Sequence, residues 1–241
     1  MNHDAIIFDI DDTLYNSTRL SITARVNAIE AMIDAGLPAD RETGTELLAG
    51  VIQRLGANSN RHFDEPLEAV GVPPNARLIA AGIVAYHNTK PVYLRPFEET
   101  IPTLLRLRDL GYRLGVITNG MAVKQWEKLI RLGIQHFFHA AIVSETAGME
   151  KPDPQIFTLC CEQLQVEPAA SVYVGNDPHT DVFGANRVGM LSIRMRKGKH
   201  ADVEPQDDAH RAAHDIDRLG ALLELIDAGV IGLPSAAEPQ P

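Results

Sequence analysis

The chain has 241 residues, 45% of them hydrophobic, and 32 acids against 22 lysines and arginines, for a net charge of −10. That length and apolar content support one large domain, or a domain with an insertion, stable on its own core. The charge argues against nucleic acid or an anionic membrane as the main partner, and no run of about 18 apolar residues offers a membrane span. The opening MNHDAIIFDI lacks the basic stretch and small-residue cleavage site of a secretion signal. Cys160 and Cys161 are neighbours in the helix-like IFTLCCEQL, which suits packing residues in a reducing compartment better than a disulfide. A cytoplasmic protein is expected.

Residues 4–9 are the first strand candidate: Ala5, Ile6, Ile7, Phe8 and Ile10 surround Asp9. Residues 15–94 show no convincing strand. Ile22, Val26, Ile29 and Ile33 recur at three- or four-residue steps, Leu47, Leu48, Val51, Ile52 and Leu55 follow, then Leu78, Ile79, Ile83 and Val84. LPAD, GANSN and GVPPN punctuate these runs. The pattern predicts an all-helical insertion packed as a small bundle, with KPVYLRP as the return linker.

A helix over 98–110 stops at Gly111, and a strand follows at 112–117. The same alternation continues with a helix at 121–132, a strand at 139–143, a helix at 153–165 and a strand at 171–174. It closes with a short helix at 180–188 and a strand at 190–194. Short apolar strands alternating with helices predict a parallel sheet buried on both faces. Residues 199–213 are polar and read as loop, 216–227 as a last helix, and 232–241 as a disordered tail. The expected organisation is a core of 1–14 and 95–200, a helical insertion of 15–94, a loop and helix of 201–231 packed on the core, and the tail.

Ligands in open α/β sheets sit beyond the carboxyl ends of the strands. The first strand delivers Asp9, Asp11, Asp12 and Thr13 to that rim, and the second delivers Thr118 and Asn119. Lys151 lies in SETAGMEKPDP beyond the third strand, and Asn176, Asp177 and Asp181 lie in GNDPHTD beyond the fourth. A buried carboxylate costs several kcal/mol unless it is paired or bound to metal. A strand ending in an acidic turn explains Asp9 alone; the ordered set of acids, hydroxyl and ammonium favours chemistry.

These residues resemble the haloacid dehalogenase superfamily, most of whose members are Mg²⁺-dependent phosphatases. DIDDT at 9–13 resembles its first motif, Asp-x-Asp-x-Thr, and ITNG at 117–120 its second. Lys151 in KPDP resembles the third, and VGNDPHTD at 174–181 the fourth. The resemblance covers roughly residues 4–200. It implies a three-layer α/β/α Rossmann-like core with strand order 5-4-1-2-3 and makes the helical insertion a type-1 cap that opens and closes over the rim.

The resemblance implies catalysis by Asp9, Asp11 and Lys151, phosphate binding by Thr118, Asn119 and Lys151, and Mg²⁺ held among Asp9, Asp11, Asn176, Asp177 and Asp181. Asp9 would attack phosphorus and form an aspartyl-phosphate. A carboxylate meeting a phosphate dianion at ~4 Å and an effective dielectric of ~20 is repelled by roughly 8 kcal/mol. Mg²⁺ and Lys151 would offset that. The Thr118 hydroxyl and the backbone N–H groups near Asn119 and Gly120 would hold phosphoryl oxygens. Asp11 would give the leaving alkoxide its proton and later take one from water, with its backbone carbonyl on the metal. Family dehalogenases lack an acid at this place, so Asp11 argues against dehalogenation.

The family usually has Asp after VG, where Asn176 stands here. Asn176 is then a neutral ligand, or Asp177 takes over, with Asp177 placed ahead and Asp181 a ligand in either case. The expected partner is a small phosphorylated metabolite: a sugar phosphate, a nucleotide or phosphoglycolate. A phosphomutase or phosphotransferase, and a non-catalytic binding protein on the same scaffold, are the alternatives. Asp12 and Thr13 read as turn residues, with Thr13 bonded to backbone. Asn119 is expected to act through its backbone, His179 in a turn, Trp126 in packing and Glu145 as a loop group. Tyr15, Asn16 and Ser17 stand where a leaving group could touch them. Arg19, Arg25, Arg54, Arg61 and Arg77 are helix-surface charges that an anionic substrate could meet.

Overall fold

The computed structural model describes residues 2–56, 59 and 61–235. It divides into two compact units, Met1–Thr18 with Leu94–Pro241, and Arg19–Tyr93.

The first unit begins with β1 (Ala5–Phe8), four residues buried on both faces. The second unit is helical: α1 (Ser17–Asp34, its first two residues in the first unit), α2 (Arg41–Leu55), α3 (Glu65–Ala69) and α4 (Ala76–Tyr93). Asp40 caps α2 by accepting from the Thr43 N–H, which satisfies an orphan donor of the first turn. Ile29, Met32, Leu37, Leu48, Leu67 and Leu78 form this unit's own core. Arg54 pairs with Glu65, Arg61 with Glu68, and Arg77 with the Ala35 carbonyl, all inside it.

The chain then returns through α5 (Thr100–Asp109), β2 (Arg113–Thr118), α6 (Ala122–Arg131), β3 (Ala140–Val143), α7 (Ser144–Ala147) and α8 (Pro154–Leu164). β4 (Ser171–Gly175) follows, then a π turn over Pro178–Val182, α9 (Phe183–Arg187), β5 (Leu191–Met195), β6 (His214–Ile216) and α10 (Ala221–Asp227). The sheet is parallel throughout, in the order β3-β2-β1-β4-β5-β6. The expected order 5-4-1-2-3 is therefore present with one strand added outside β5. That strand lies between the stretches read as loop and last helix. Its three residues, HDI, are too short and polar to signal a strand. The last helix begins at Ala221 instead of residue 216 for the same reason.

On one side of the sheet Ile7, Ile117, Ile142 and Tyr173 pack against Ile156, Phe157, Cys160, Cys161 and Leu164. Both cysteines are free and buried. α8 approaches so closely that a Cβ on Gly115 would stand 2.9 Å from the Cys160 Sγ. The start of β1 is tied to the far end of the described chain. The Gly232 N–H donates to His3 Nδ1 (2.9 Å), the His3 N–H to the Gly232 carbonyl (3.3 Å), and the Ser235 N–H to Asp4 (2.7 Å). Gly232 and Ser235 are thus bonded where the composition suggested a loose tail; 236–241 lie outside the described residues. No helix among the described residues is long and apolar enough to cross a membrane.

Candidate active site

β1 is the central strand, hydrogen-bonded to β2 on one side and β4 on the other. The chain runs from β1 out to β2 and β3 and then crosses to β4 on the other side, which opens a crevice at the carboxyl end of β1. Asp9 stands there, its backbone N–H held by the Val174 carbonyl at 2.9 Å. The ends of β2 and β4 flank it, so residues 9, 118 and 176 meet by sheet register alone.

Three buried charges form the centre. Lys151 Nζ donates to Asp9 Oδ1 and to Asp181 Oδ1, both at 2.6 Å, and to the Tyr173 oxygen at 3.1 Å. Asp9, Lys151 and Asp181 are 6%, 4% and 1% exposed. Burial pushes the Asp9 carboxyl up to about 7, against the pull of Lys151 and with the help of Asp181 and Asp11. Burial favours loss of the Lys151 proton, but the two carboxylates outweigh it and hold the ammonium charged, well above its ordinary value.

Asp181 sits in the π turn, whose N-terminus is capped by Asp177. Its Oδ2 accepts from the Asn176 and Asp177 N–H groups, both at 3.0 Å, so every oxygen of Asp181 is engaged. Asp177 accepts from the His179 N–H at 2.9 Å and lies 3.3 Å from His200 Nε2. Its carboxylate serves the turn. Asn176 donates through Nδ2 to the Lys197 carbonyl at 3.3 Å, and its Oδ1 takes no hydrogen bond among the described residues.

The Asn119 side chain is committed as well as its carbonyl: Oδ1 accepts from the Lys151 N–H (2.9 Å) and Nδ2 donates to the Lys151 carbonyl (3.0 Å). This two-point clasp fixes the backbone from which the Lys151 side chain reaches the acids. The Gly120 N–H, expected to face phosphate, donates instead to the Ser144 hydroxyl at 2.9 Å. The Thr118 hydroxyl donates to Gln125 Oε1 at 3.2 Å.

Asp11 is held from outside the four motifs. Lys128 Nζ donates to its Oδ1 (2.8 Å) and Oδ2 (2.6 Å), and the Tyr15 hydroxyl donates to Oδ1 (2.5 Å). Burial alone would raise this carboxyl, but Lys128 first and Tyr15 next bring it below the ordinary carboxylate value. The Asp11 side chain remains 37% exposed, unlike Asp9.

Asp12 behaves as a turn residue, at φ +56°, accepting from the Thr18 N–H (2.8 Å) and hydroxyl (2.6 Å). Thr13 does not bond backbone as expected; its buried hydroxyl has no partner among the described residues. Glu145 accepts from the Ala122 N–H at the start of α6 (2.8 Å). His179 lies in the π turn, its ring 5.3 Å from that of His210. Trp126 is 40% exposed beside the exposed Val123 and Ile130, because the packed face of α6 carries Gln125 and Leu129 instead. Sequence reasoning missed Lys128, Gln125 and Tyr173. Gln125 gave one signal: it shares the helical phase of the apolar Leu129 and Leu132, where a polar side chain is buried only for a reason.

Among the described residues no three His, Cys, Asp or Glu side chains gather as a ready metal-ligand set. Magnesium needs only one or two carboxylates, completing its shell with substrate oxygen and water. Asp9 Oδ2 accepts no hydrogen bond among the described residues, because Lys151 bonds only Oδ1, and Asn176 Oδ1 is likewise open. An all-oxygen donor set beside an excess of carboxylate over ammonium fits such a hard cation.

A family model described as haloacid dehalogenase-like hydrolase matches residues 3–189. The chain is 49% identical over 224 residues to the glyceraldehyde 3-phosphate phosphatase of Methanopyrus kandleri, covering 92% of this chain and 96% of that one. It is 41% identical over 221 residues to the glyceraldehyde 3-phosphate phosphatase of Methanocaldococcus jannaschii, with 92% and 96% covered. Among solved structures, the magnesium-bound YfnB of Bacillus subtilis superposes with a TM-score of 0.69 at 19% identity, covering 94% of this chain and all of that one, 100%. The chain belongs to the haloacid dehalogenase-like hydrolase family.

Proposed function

We propose that this haloacid dehalogenase-like hydrolase is a Mg²⁺-dependent phosphatase of small phosphate monoesters, with glyceraldehyde 3-phosphate as the first candidate substrate. The observation that carries the reading is the buried Asp9–Lys151–Asp181 cluster, which leaves one Asp9 oxygen open at the switch point of the sheet. The substrate follows from the two phosphatases that match over almost the whole chain.

Asp9 Oδ2 attacks phosphorus, the P–O bond to the substrate alkoxide breaks, and an aspartyl-phosphate forms. Asp11, which Lys128 and Tyr15 hold as a carboxylate in the free enzyme, takes up the proton of the substrate's phosphate monoanion and passes it to the alkoxide. Water then attacks phosphorus, gives its proton to Asp11, and releases phosphate and the Asp9 carboxylate. Lys151 sets Asp9 in place and offsets the charge of the arriving phosphoryl group, and the Thr118 hydroxyl, turning from Gln125 Oε1, donates to one of its oxygens. Asp9 and Asn176 would hold magnesium, which would neutralise charge on the transferring group; Asp181, its oxygens taken by Lys151, Tyr173 and two backbone N–H groups, steadies Lys151. The engagement of Asp177 by its own turn supports Asn176 over Asp177 as the ligand.

The test is phosphate release from glyceraldehyde 3-phosphate, phosphoglycolate, sugar phosphates and nucleoside monophosphates, with Mg²⁺ and with a chelator. Mg²⁺-dependent release with the highest kcat/KM on the triose phosphate is expected. Folded protein that releases no phosphate from any of them would sink the proposal.

A further inference from the structure

α6 links two strand ends that the catalytic motifs treat separately. Gln125 and Lys128 are three residues apart, hence neighbours on one helix face. An ammonium has three N–H donors, and Lys128 uses all of them: two on the oxygens of Asp11 and one on Gln125 Oε1 at 3.0 Å. The same Oε1 accepts from the Thr118 hydroxyl, and Gln125 Nε2 donates to the Asn119 carbonyl at 3.1 Å. Gln125 is 5% exposed. One continuous chain of hydrogen bonds therefore runs Tyr15–Asp11–Lys128–Gln125–Thr118, from the end of β1 to the end of β2.

We infer that Lys128 is a positioning residue of this hydrolase: it sets the place of the Asp11 carboxylate and, through Gln125, couples it to the Thr118 hydroxyl. The inference rests on the proposed phosphatase reading. Lys128 touches neither Asp9 nor Lys151 among the described contacts, so it acts through the group that serves the leaving oxygen. Bonds to both Asp11 oxygens stop rotation of the carboxylate, and the Tyr15 hydroxyl fixes its third contact. A lysine that merely steadied α6 would have no reason to spend two donors on one acid.

Because Asp11 serves the leaving group, the role predicts a particular selectivity among substrates. Aryl phosphates expel a weakly basic phenolate that needs little proton assistance, whereas a triose phosphate expels a strongly basic alkoxide. Lys128→Met keeps the stem and removes the donors. Its kcat on glyceraldehyde 3-phosphate should fall by roughly 30-fold or more, but on p-nitrophenyl phosphate by only about 3-fold, with KM within about 3-fold for both. Lys128→Arg, which still donates to a carboxylate, should recover part of the triose phosphate activity. Adding Lys128→Met to Asp11→Asn should cost little beyond Asp11→Asn alone, since residues acting as one unit are not additive.

Equal losses on both substrates, or full additivity with Asp11→Asn, would overturn the role of Lys128. So would a raised KM at unchanged kcat, which would put Lys128 on the substrate. If Lys128→Met does not fold by circular dichroism, Gln125→Leu carries the same comparison. It should reproduce the selective loss in milder form, and its absence overturns the coupling to Thr118. If the unchanged protein releases no phosphate from either substrate, the phosphatase reading fails and takes this role with it; the two failures are distinguished by that control.

Discussion

Replacing Lys151 by methionine, which preserves the stem and deletes the charge, probes the centre of the site. Each 2.6 Å contact to Asp9 and Asp181 is worth roughly 6 kcal/mol of Coulomb attraction at an effective dielectric of ~20. The desolvation of a buried ammonium, several kcal/mol, cancels part of the sum. The variant strands two carboxylates that are both under a tenth exposed. Removing one partner of such a group costs about 3–5 kcal/mol. For a chain of this size that corresponds to a drop in Tm of roughly 6–20 °C. Trp126 is the single tryptophan and sits on α6 in the first unit, so its fluorescence follows unfolding of that unit. The scan belongs in chelator at pH 8, above the Asp9 value of about 7, where the parent's Asp9–Lys151 pair is charged. The loss should shrink at pH 5, where Asp9 takes up a proton, and Lys151→Met/Asp181→Asn should be more stable than Lys151→Met alone. A Tm within about 2 °C of the parent at pH 8 would refute the assignment of these three groups as mutually dependent buried charges.

Asp9→Asn should abolish phosphate release while leaving the circular dichroism spectrum intact; surviving turnover in purified variant would place the nucleophile elsewhere. The same residue controls a pH effect in chelator. Its folded value of about 7 lies above the ordinary 3.8, so the folded state holds more protons between these values, and stability falls as pH rises through that window, by at most about 4 kcal/mol. Asp9→Asn should flatten that slope in urea titrations between pH 4 and 8, and an unchanged slope would assign it to other groups. Asn119→Ala deletes both hydrogen bonds to the Lys151 backbone and should cost about 1–3 kcal/mol together with a loss of kcat; a variant equal to the parent in both would deny the clasp a role. Gly198→Ala places a Cβ 2.0 Å from the Asp12 carboxylate at φ +67° and should lower stability by about 1–3 kcal/mol, read as a lower Tm.

The sheet and the acids at its rim were legible because burial on both faces writes continuous apolar runs such as AIIF. Each run ends abruptly at the residues that face the crevice, so Asp9, Thr118 and Asn176 could be placed together without coordinates. The helical unit was legible from its three- and four-residue apolar steps. What was hidden depends on distance in the chain. The clasp of Asn119 on Lys151 joins residues 32 apart, and Lys128 meets Asp11 across 117. In the sequence, Lys128 is one more charge on an amphipathic helix. Tyr173 looked like an ordinary strand residue, and only the packing of β4 shows its hydroxyl on Lys151 and Asp181. Trp126 misled because large aromatics are usually buried, whereas here the buried phase of α6 belongs to Gln125. β6 escaped because three residues cannot show a period.

The tie between the start of β1 and residues 232–235 bears on how the chain is made. Ala5 pairs with Arg113 and Ser171, and His3 and Asp4 bond Gly232 and Ser235. On the ribosome the helical unit, with its own core, can close while β1 has no neighbour at all. AIIF stays unpaired until β2 (Arg113–Thr118) has emerged and lacks its second neighbour until β4 (Ser171–Gly175) follows, an apolar β-prone segment open to wrong partners in the meantime. Its last bonds wait for the final described residues. The strand that leads into Asp9 is made before the rest of its sheet and secured last.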